Sequence, residues 1–416
     1  MTYLARLRCT KCGRTYAPMD RVLKCKEDDG RLDVEYDYDS MMSKVSREVF
    51  ERRRGGLWKY RELLPIENEE NIVTLGEVQT PLIRCKNLGK ILGIRNLYVK
   101  DETKNPTASF KDRPMTVGVS KAVELGFDTV VSASSGNAAA ALAAYSARAG
   151  LTCYTFVPEM ASPGKIAQLK MFGANVVRLR GLESGVDPTF TMLRLVCDRF
   201  GWYPCPSAGP FNPYQAEGSK TMSYEIVEQL DWTSPDWVFA GVGGGGLLAG
   251  NWKGYRELKR IGLSGASPRM VAVQSTGCAP LVRAFDERMD PRKIVPWEHP
   301  DSVATGLMDP FPWDGDAALK ALHESSGTAA KVSNEEILES QRTLAKSEGI
   351  FAEPSGVAAL AGLIKLKERG TIASDDCVVI EITGSGLKDL SVIGSADAPL
   401  IDPDIDALQK VLRLNK

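Results

Sequence analysis

One lysine of this sequence stands in a context suited to covalent chemistry. Lys111 lies in the segment from Asn105 to Arg113, where a Pro-Thr turn, a serine and Phe110 precede it and an Asp-Arg pair follows it. A lysine that forms a Schiff base needs a partly desolvated amine, so that its neutral form is available near neutral pH. An aromatic neighbour and a helix start provide such a setting. Taken alone, the segment fits a surface lysine in the first turn of a helix equally well.

A glycine-rich stretch offers a site for a phosphate group. Residues 241–246 contain five glycines and follow an apolar segment directly. Backbone N–H groups that are free of side chains and precede a helix can wrap around a phosphate. The stretch lacks the Gly-Lys-Ser/Thr ending of a nucleotide-binding P-loop. A flexible linker is the weaker alternative, because apolar segments flank the stretch on both sides. We therefore predict phosphate binding by Gly243, Gly244, Gly245 and Gly246.

Two further polar turns follow apolar segments. The turn from Ser134 to Asn137 combines hydroxyl groups with the N–H groups of a helix start, and this combination can hold a carboxylate. The Asn137 amide could also bond a phenolic oxygen. Helix capping by Ser135 or Asn137 explains part of this pattern without any ligand. The turn that begins at Thr383 could set a hydroxyl beside a ring nitrogen, although such residues are common in all turns.

The elements that must position these turns alternate along the chain. Short apolar segments and amphipathic segments take turns from about residue 72 onward. This alternation predicts an α/β fold of largely parallel, doubly wound sheets that helices cover on both faces. In such sheets ligands bind at the carboxyl ends of the strands, where all of these turns stand. The predicted strands are 97–100, 129–132, 152–157, 176–179, 237–240, 270–273 and 377–382, and the predicted helices are 116–125, 137–149 and 165–171.

Composition excludes several classes of function. The 416 residues carry a net charge of −1, which gives no electrostatic reason for binding nucleic acid or an anionic membrane. No segment approaches the roughly 20 apolar residues that cross a bilayer. Nine scattered cysteines argue against a disulfide framework and for a reducing cytoplasm. Because His299 and His323 are the only histidines, acid–base work would fall to lysines, carboxylates, hydroxyls or a cofactor.

The first 40 residues have the pattern of a separate small module. Cys9 and Cys12 form a knuckle of the zinc-ribbon kind, and Cys25 follows at a suitable distance. A second knuckle would need a ligand at position 28, where this chain has Asp28. Three thiolates and a carboxylate could hold zinc. The alternative is a ribbon-shaped remnant that its own hairpins hold together without metal.

Together these features resemble a known family of enzymes. A lysine amine, a phosphate cradle, a carboxylate pocket and a hydroxyl for a ring nitrogen suit pyridoxal 5′-phosphate with an amino-acid substrate. The chain resembles the fold-type II pyridoxal-phosphate enzymes and, among them, is most similar to the threonine synthase family. The matching segments are 105–113, 134–137, 243–246 and 383–389, supported by 74–82, 217–221, 353–356 and the cysteine-bearing N-terminus.

The resemblance implies a role for each matching residue. Lys111, beside Phe110, would bind the cofactor covalently and move protons at the substrate Cα and Cβ. Asn137 would bond the cofactor O3′, the loop Gly243–Gly246 its phosphate, and Thr383 its pyridine nitrogen. The implied substrate-binding residues are Ser134, Ser135, Gly136, Gln215 and Lys220.

The resemblance also implies an architecture and a reaction. A large cofactor-binding domain would comprise residues 41–115 and 215–416, and a small mobile domain residues 116–214, in addition to the zinc-ribbon-like module at 1–40. The family acts as homodimers and converts O-phospho-L-homoserine and water into L-threonine and phosphate by γ-elimination and β-addition. The implied partner is thus a phosphorylated amino acid.

This chain departs from the family pattern at positions that bear on the substrate. Gln215 stands where the family has an arginine that helps to hold the substrate phosphate, and Ala108 and Pro114 stand where it has glycines. An asparagine of the family's phosphate loop is glycine here, and Ser385 replaces a histidine. The cations that could replace the arginine are Lys104, Arg113, Lys165 and Lys220.

These departures keep other functions open. One is a related enzyme that carries out β-replacement or β-elimination, either a cysteate synthase-like enzyme that joins O-phosphoserine and sulfite or a threonine or serine dehydratase. From a different class comes a non-enzymatic zinc-ribbon interaction protein on an α/β scaffold.

Overall fold

Strands and helices alternate through most of the chain. The computed structural model describes residues 2–181, 187–393 and 398–412. Its strands are β1 (Leu4–Cys9), β2 (Thr15–Tyr16), β3 (Leu32–Tyr36), β4 (Leu82–Arg84), β5 (Asn96–Asp101), β6 (Thr129–Ala133), β7 (Thr152–Pro158), β8 (Asn175–Leu179), β9 (Tyr203–Pro204), β10 (Trp237–Gly241), β11 (Arg269–Ser275), β12 (Thr328–Val332) and β13 (Cys377–Ile382).

Helices connect nearly all of these strands. They are α1 (Tyr38–Met42), α2 (Arg47–Glu51), α3 (Lys86–Leu92), α4 (Asp112–Glu124), α5 (Asn137–Ala149), α6 (Pro163–Met171), α7 (Pro188–Phe200), α8 (Pro213–Ser219), α9 (Thr221–Gln229), α10 (Gly246–Arg260), α11 (Pro280–Asp286), α12 (Gly315–Glu324), α13 (Asn334–Glu348), α14 (Pro354–Glu368) and α15 (Ile405–Leu412). Short 3-10 turns occur between them, among them Leu57–Leu63 and Thr305–Leu307.

Two parallel sheets form the body of the protein. The larger has the strand order β12-β11-β10-β13-β5-β4, in which only the edge strand β4 runs antiparallel to its neighbour. The smaller has the order β8-β7-β6-β9 and is parallel throughout. Strands β10 and β13 are almost wholly buried, since helices cover both faces of the larger sheet. The predicted α/β fold of largely parallel sheets is confirmed.

A third, antiparallel sheet of β2, β1 and β3 lies at the N-terminus. It docks on the body through Tyr36, whose hydroxyl donates to Glu217 of α8. The strands of the smaller sheet lie between residues 129 and 204, and those of the larger sheet lie on either side in the chain. The domain boundaries at residues 40, 115 and 214 stay a prediction. Among the described residues, no helix is long and apolar enough to cross a membrane.

Helix α4 begins four residues earlier than predicted. Lys111 occupies its N-cap position, and the helix starts at Asp112 rather than at position 116. Pro114 does not prevent this, because the N–H groups of a first helical turn have no intrahelical partner that a proline could remove. The early start places Lys111 at the junction between a tight turn and a helix, at the carboxyl edge of the larger sheet.

Candidate active site

The Lys111 amine lies half-buried between loops from both sheets. Its Nζ donates a hydrogen bond to Ser207 Oγ at 2.7 Å and lies 4.7 Å from the centre of the Phe110 ring. Burial lowers the pKa of the Lys111 amine to about 8, while the carboxylates of Asp314 and Asp309 act in the opposite direction. A substantial share of the amine is therefore neutral near pH 8, as a nucleophilic lysine requires.

The turn before Lys111 is locked by its own side chains. Thr107 donates to Asp112 through its backbone N (2.7 Å) and its hydroxyl (2.6 Å), so both Asp112 oxygens accept hydrogen bonds. Between them Ala108 has a φ of +62°, in the left-handed region that favours glycine. The turn thus holds its shape through one buried carboxylate, and this shape presents Lys111 to the site.

The end of β13 pairs with this turn. The Phe110 N–H donates to the Thr383 carbonyl at 2.9 Å, and the Ser385 N–H donates to the Ala108 carbonyl at 3.0 Å. Thr383 is buried. Two of the predicted site segments, about 270 residues apart in the sequence, are therefore joined by backbone hydrogen bonds.

The glycine loop closes a second side of the site. A Cβ added to Gly243 would lie 2.9 Å from the Gly306 carbonyl oxygen, and one added to Gly246 would lie 3.0 Å from an Asp314 carboxylate oxygen. Gly245 has a φ of +96° and is the N-cap of α10. The loop therefore has room only for backbone, and it leads into the N-terminus of a 15-residue helix, whose first N–H groups have no intrahelical partner.

The turn between β6 and α5 meets the start of α14. Asn137, the first residue of α5, donates through Nδ2 to Glu353 Oε1 at 2.6 Å. Glu353 in turn donates its N–H to the Gly384 carbonyl, next to Thr383. In the same turn Ser134 Oγ accepts from the Gly136 N–H at 3.2 Å, and Ser134, Ser135 and Gly136 are all half-buried. Loops from the two sheets therefore converge on one cleft.

Comparison with known proteins identifies the family. Residues 73–384 match the family model described as pyridoxal-phosphate dependent enzyme. The threonine synthase of Methanocaldococcus jannaschii is 42% identical over 98% of this chain and 99% of its own length. The threonine synthase of Methanosarcina acetivorans is also 42% identical and covers 98% of each chain. This chain belongs to the threonine synthase family.

A solved structure supports the same fold. O-ureido-L-serine synthase superposes with a TM-score of 0.64, covering 80% of this chain and 96% of that chain, at 22% identity. At that identity the likeness shows the fold alone, and the fold is that of the pyridoxal-phosphate enzymes predicted from the sequence. The cofactor of this protein is pyridoxal 5′-phosphate.

The residues of the cleft fit pyridoxal 5′-phosphate. The glycine loop is a cradle that any Cβ would fill, and a helix N-terminus behind it favours an anion. The backbone just before Lys111 is hydrogen-bonded to the buried end of β13, and the Lys111 amine is hydrogen-bonded to Ser207. The individual contacts predicted for Phe110, Lys111, Asn137, Gly243–Gly246 and Thr383 stay predictions, and the structure brings all of these residues to one cleft.

Sequence analysis missed four residues of this cleft. They are Ser207, Asp309, Asp314 and Glu353. Burial raises the pKa of Asp309 to about 7 and that of Asp314 to about 6, and it also raises the pKa of Glu353. Glu353 lay in a segment that matched the family, so a signal for it existed. Ser207, Asp309 and Asp314 lie in segments with no distinctive sequence pattern, and only the fold brings them near Lys111.

Gln215, which the resemblance implies as a substrate-binding residue, is buried. It lies in α8 with 1% of its surface exposed. Its amide oxygen, in the orientation that satisfies its neighbours, accepts from the N–H groups of Ser207 (2.6 Å) and Ala208 (2.8 Å). Gln215 therefore supports the loop that carries Ser207, and its contact with substrate stays a prediction.

Lys220, a second implied substrate-binding residue, is also buried. The Lys220 side chain is fully buried, forms ion pairs with Glu217 and Glu257, and lies 4.1 Å from the centre of the Tyr36 ring. These partners belong to α8, to α10 and to the N-terminal sheet. Because its ammonium group is buried and paired, Lys220 stabilises the docking of these elements, and its binding to substrate stays a prediction.

The cysteines of the N-terminal module converge as the sequence predicts. Ligand atoms of Cys9, Cys12, Cys25 and Asp28 all lie within 4.8 Å of one another. The Lys11 and Cys12 N–H groups point at Cys9 Sγ at 3.4 and 3.5 Å, the pattern of a metal-binding knuckle. A Cβ added to Gly30 would lie 2.7 Å from Cys9 Sγ, so this glycine gives the cluster its space.

Proposed function

We propose that this protein catalyses the threonine synthase reaction, in which O-phospho-L-homoserine and water yield L-threonine and inorganic phosphate. The observation that carries the proposal is identity of 42% along 98% of the chain with a threonine synthase whose whole length is covered. Lys111 at the centre of the cleft supports it. In this reaction the Cγ–O bond to phosphate breaks, one proton leaves Cβ and one proton is added at Cγ. Water supplies the hydroxyl at Cβ, and its other proton goes to the released phosphate.

Proton transfer falls to Lys111. Bound pyridoxal phosphate supplies an electron sink that makes the protons on the substrate Cα and Cβ acidic. The neutral Lys111 amine takes up a proton at Cα and at Cβ, which its lowered pKa of about 8 allows near neutral pH. The Ser207 hydroxyl, 2.7 Å from Nζ, orients the amine between these atoms.

Lys165 is the cation we assign to the substrate phosphate. Of the four candidates from the sequence, Arg113 is held by Glu102 and Glu225, Lys220 is buried in its own ion pairs, and Lys104 is largely exposed. Lys165 in α6 donates to Thr305 Oγ1 at 3.4 Å, beside the Gly306 carbonyl that packs on the glycine loop. The turn at Ser134–Gly136 is assigned to the substrate carboxylate.

The decisive experiment measures products. Purified protein loaded with cofactor is given O-phospho-L-homoserine, and phosphate and threonine are quantified together. Equal amounts of both, absent from a Lys111→Ala variant, support the proposal. Turnover of O-phospho-L-serine with sulfite, or of threonine or serine to a 2-oxo acid, without turnover of phosphohomoserine would assign the chain to a related β-replacement or β-elimination enzyme instead.

Three further assignments complete the proposal. We propose a homodimer, following the family, and a cytoplasmic location, supported by nine cysteines that are all free thiols. We also propose that Cys9, Cys12, Cys25 and Asp28 hold one zinc ion, because four S and O donors at one point suit its tetrahedral coordination. Sedimentation of the purified protein tests the dimer.

A further inference from the structure

The back of the glycine loop rests on a buried carboxylate. Asp314 is 5% exposed, and both of its carboxylate oxygens lie 3.1 Å from the Gly209 N–H, which donates to them. Its own N–H donates to the Gly244 carbonyl at 2.7 Å, and Oδ2 lies 3.0 Å from the Cβ position of Gly246. Asp314 thus ties the glycine loop to the loop that carries Ser207.

The negative charge of Asp314 would repel a phosphate group bound by the glycine loop. A phosphate monoester carries about −1.5 to −2 charges at pH 7. A second negative charge next to the same backbone would repel it, and burial makes that repulsion stronger than in water. The cradle therefore needs a cation that neutralises Asp314 without occupying the phosphate position.

Arg31 supplies that cation from outside the catalytic body. It follows the cysteine cluster at the start of β3, and its side chain is only 14% exposed. Its Nη1 lies 3.8 Å from an Asp314 oxygen and donates to Asp316 Oδ1 at 2.9 Å. Its Cδ lies 3.5 Å from the Cβ position of Gly209. The N-terminal sheet thus reaches the rear of the phosphate cradle through one side chain.

We propose that Arg31 is a positioning residue of the cofactor site: it neutralises Asp314 behind the glycine loop, so that the loop accepts the phosphate of the cofactor. The N-terminal module is then a working part of the enzyme, because without it the carboxylate faces the phosphate unpaired. This inference rests on the proposed function only in that the loop binds the phosphate of pyridoxal phosphate.

The test compares two ligands that differ by the phosphate alone. The dissociation constants of pyridoxal 5′-phosphate and of pyridoxal are measured on cofactor-free wild type, Arg31→Met and Arg31→Lys. Arg31→Met weakens pyridoxal phosphate about tenfold, which corresponds to about 1.4 kcal/mol, and leaves pyridoxal unchanged. Arg31→Lys keeps the charge and most of the affinity. Arg6→Met, which breaks the exposed pair with Glu35 in the same module, is the matched control and changes neither ligand.

A double variant and a pH series isolate the charge. Arg31→Met combined with Asp314→Asn recovers the affinity for pyridoxal phosphate. The deficit of Arg31→Met relative to wild type is largest at pH 8 and shrinks toward pH 5.5, because protonation removes the charge of Asp314. The pKa of Asp314 is about 6 beside Arg31, and loss of that cation raises it. The other charged groups that act on Asp314 are Asp316, Lys111 and Asp309, and they are the same in both proteins.

The possible outcomes distinguish charge neutralisation by Arg31 from a purely structural role. Equal losses for both ligands would reduce Arg31 to a structural role, and unchanged affinity for pyridoxal phosphate in Arg31→Met would overturn the inference. If Arg31→Met does not fold, Arg31→Lys decides: loss of phosphate-dependent affinity in a folded lysine variant counts against charge neutralisation. A wild type that binds neither ligand refutes the proposed function itself.

Discussion

Lys111 Nζ donates a 2.7 Å hydrogen bond to Ser207 Oγ, and the Ser207 backbone has a left-handed conformation. Ser207 has a φ of +63°, and the Gln215 amide oxygen accepts from its N–H. The loop is thus fixed from behind so that one hydroxyl faces the amine. A glycine at this position would keep the backbone conformation and remove the hydroxyl together with the Cβ that a left-handed φ disfavours.

Ser207→Gly therefore separates orientation from folding. We expect kcat to fall about tenfold to a hundredfold, because the amine loses the group that aims it, while cofactor content and the free energy of unfolding stay near the wild-type values. Steady-state kinetics and urea unfolding measure both. Ser207→Ala serves as the comparison, since it loses the same hydroxyl but keeps the Cβ that wild type already carries in the left-handed region. Unchanged kcat in both variants would remove Ser207 from the mechanism.

Burial of Lys111 predicts how stability depends on pH. The pKa of the amine falls from 10.5 in the unfolded chain to about 8 in the folded, cofactor-free protein. Below pH 8 the amine is charged in both states and the folded state bears the desolvation cost; above about pH 10.5 it is neutral in both and the cost is gone. Lys111→Met should therefore stabilise cofactor-free protein most below pH 8, with an upper limit of about 3 kcal/mol.

Urea unfolding between pH 7 and pH 10.5 measures this difference. The advantage of the methionine variant should shrink steadily as the pH rises from 8, because the unfolded chain then holds a proton that the folded chain has lost. Lys346→Met, at an exposed position of α13, provides the control and should show no such trend. A constant difference across the range would mean that the Lys111 amine is not desolvated.

Sequence patterns predicted the site residues that lie at the ends of strands. Lys111, Asn137, the glycine loop and Thr383 each follow a strand or begin a helix, and parallel sheets bring such positions to one edge. Ser207 escaped because β9, the strand before it, has only two residues and shows no period. The contacts of Lys220 were not predicted because Glu257 and Tyr36 come from distant segments, and no local pattern reveals a buried ion pair.

Ala108 departs from the family pattern at a position with a left-handed backbone. The family has glycine where this chain has Ala108, and the φ of +62° there shows why glycine suits the position. We expect Ala108→Gly to raise the free energy of unfolding, since it relieves a left-handed Cβ worth about 1 kcal/mol, although the added freedom of the unfolded chain offsets part of this gain. Ala149→Gly, at the end of α5, should destabilise instead and is the control. Urea midpoints compare the two.

Lys165 and Lys220 should respond in opposite ways to the same substitution. Lys165→Met should raise the KM for phosphohomoserine roughly thirtyfold, the equivalent of about 2 kcal/mol for a lost charge-assisted contact, with normal stability. Lys220→Met leaves Glu217 and Glu257 short of a buried partner and should cost about 3–5 kcal/mol of stability. In protein that still folds, its KM should stay near wild type.

The product L-threonine carries no phosphate and provides the ligand control. Its inhibition constant should be the same in Lys165→Met and wild type, because the lost contact concerns the phosphate alone. A Lys165→Met enzyme with normal KM would assign the phosphate to another cation. A raised KM in stable Lys220→Met would show that Lys220 contacts the substrate.

The cysteine cluster should bind one metal ion per chain with Asp28 as a ligand. Asp28 Oδ1 lies 3.4 Å from Cys9 Sγ and accepts from the Gly30 N–H at 2.9 Å, so the carboxylate is already oriented toward the thiols. We expect Asp28→Asn to weaken zinc binding, since the charged donor is lost, and Asp28→Cys to strengthen it by completing a set of four thiolates. Elemental analysis and competition with a chromogenic chelator measure both.

Metal removal should loosen the N-terminal module before the rest of the chain. Metal binding to a small module is coupled to its folding, and the three strands there are two to six residues long. A chelator should therefore speed proteolytic cleavage within the first 40 residues while the larger sheet stays resistant. Cys197→Ser, a cysteine outside the cluster, should leave metal content unchanged. Protein produced with ample zinc but free of metal, and cleaved no faster with chelator, would show that hairpins alone hold the module.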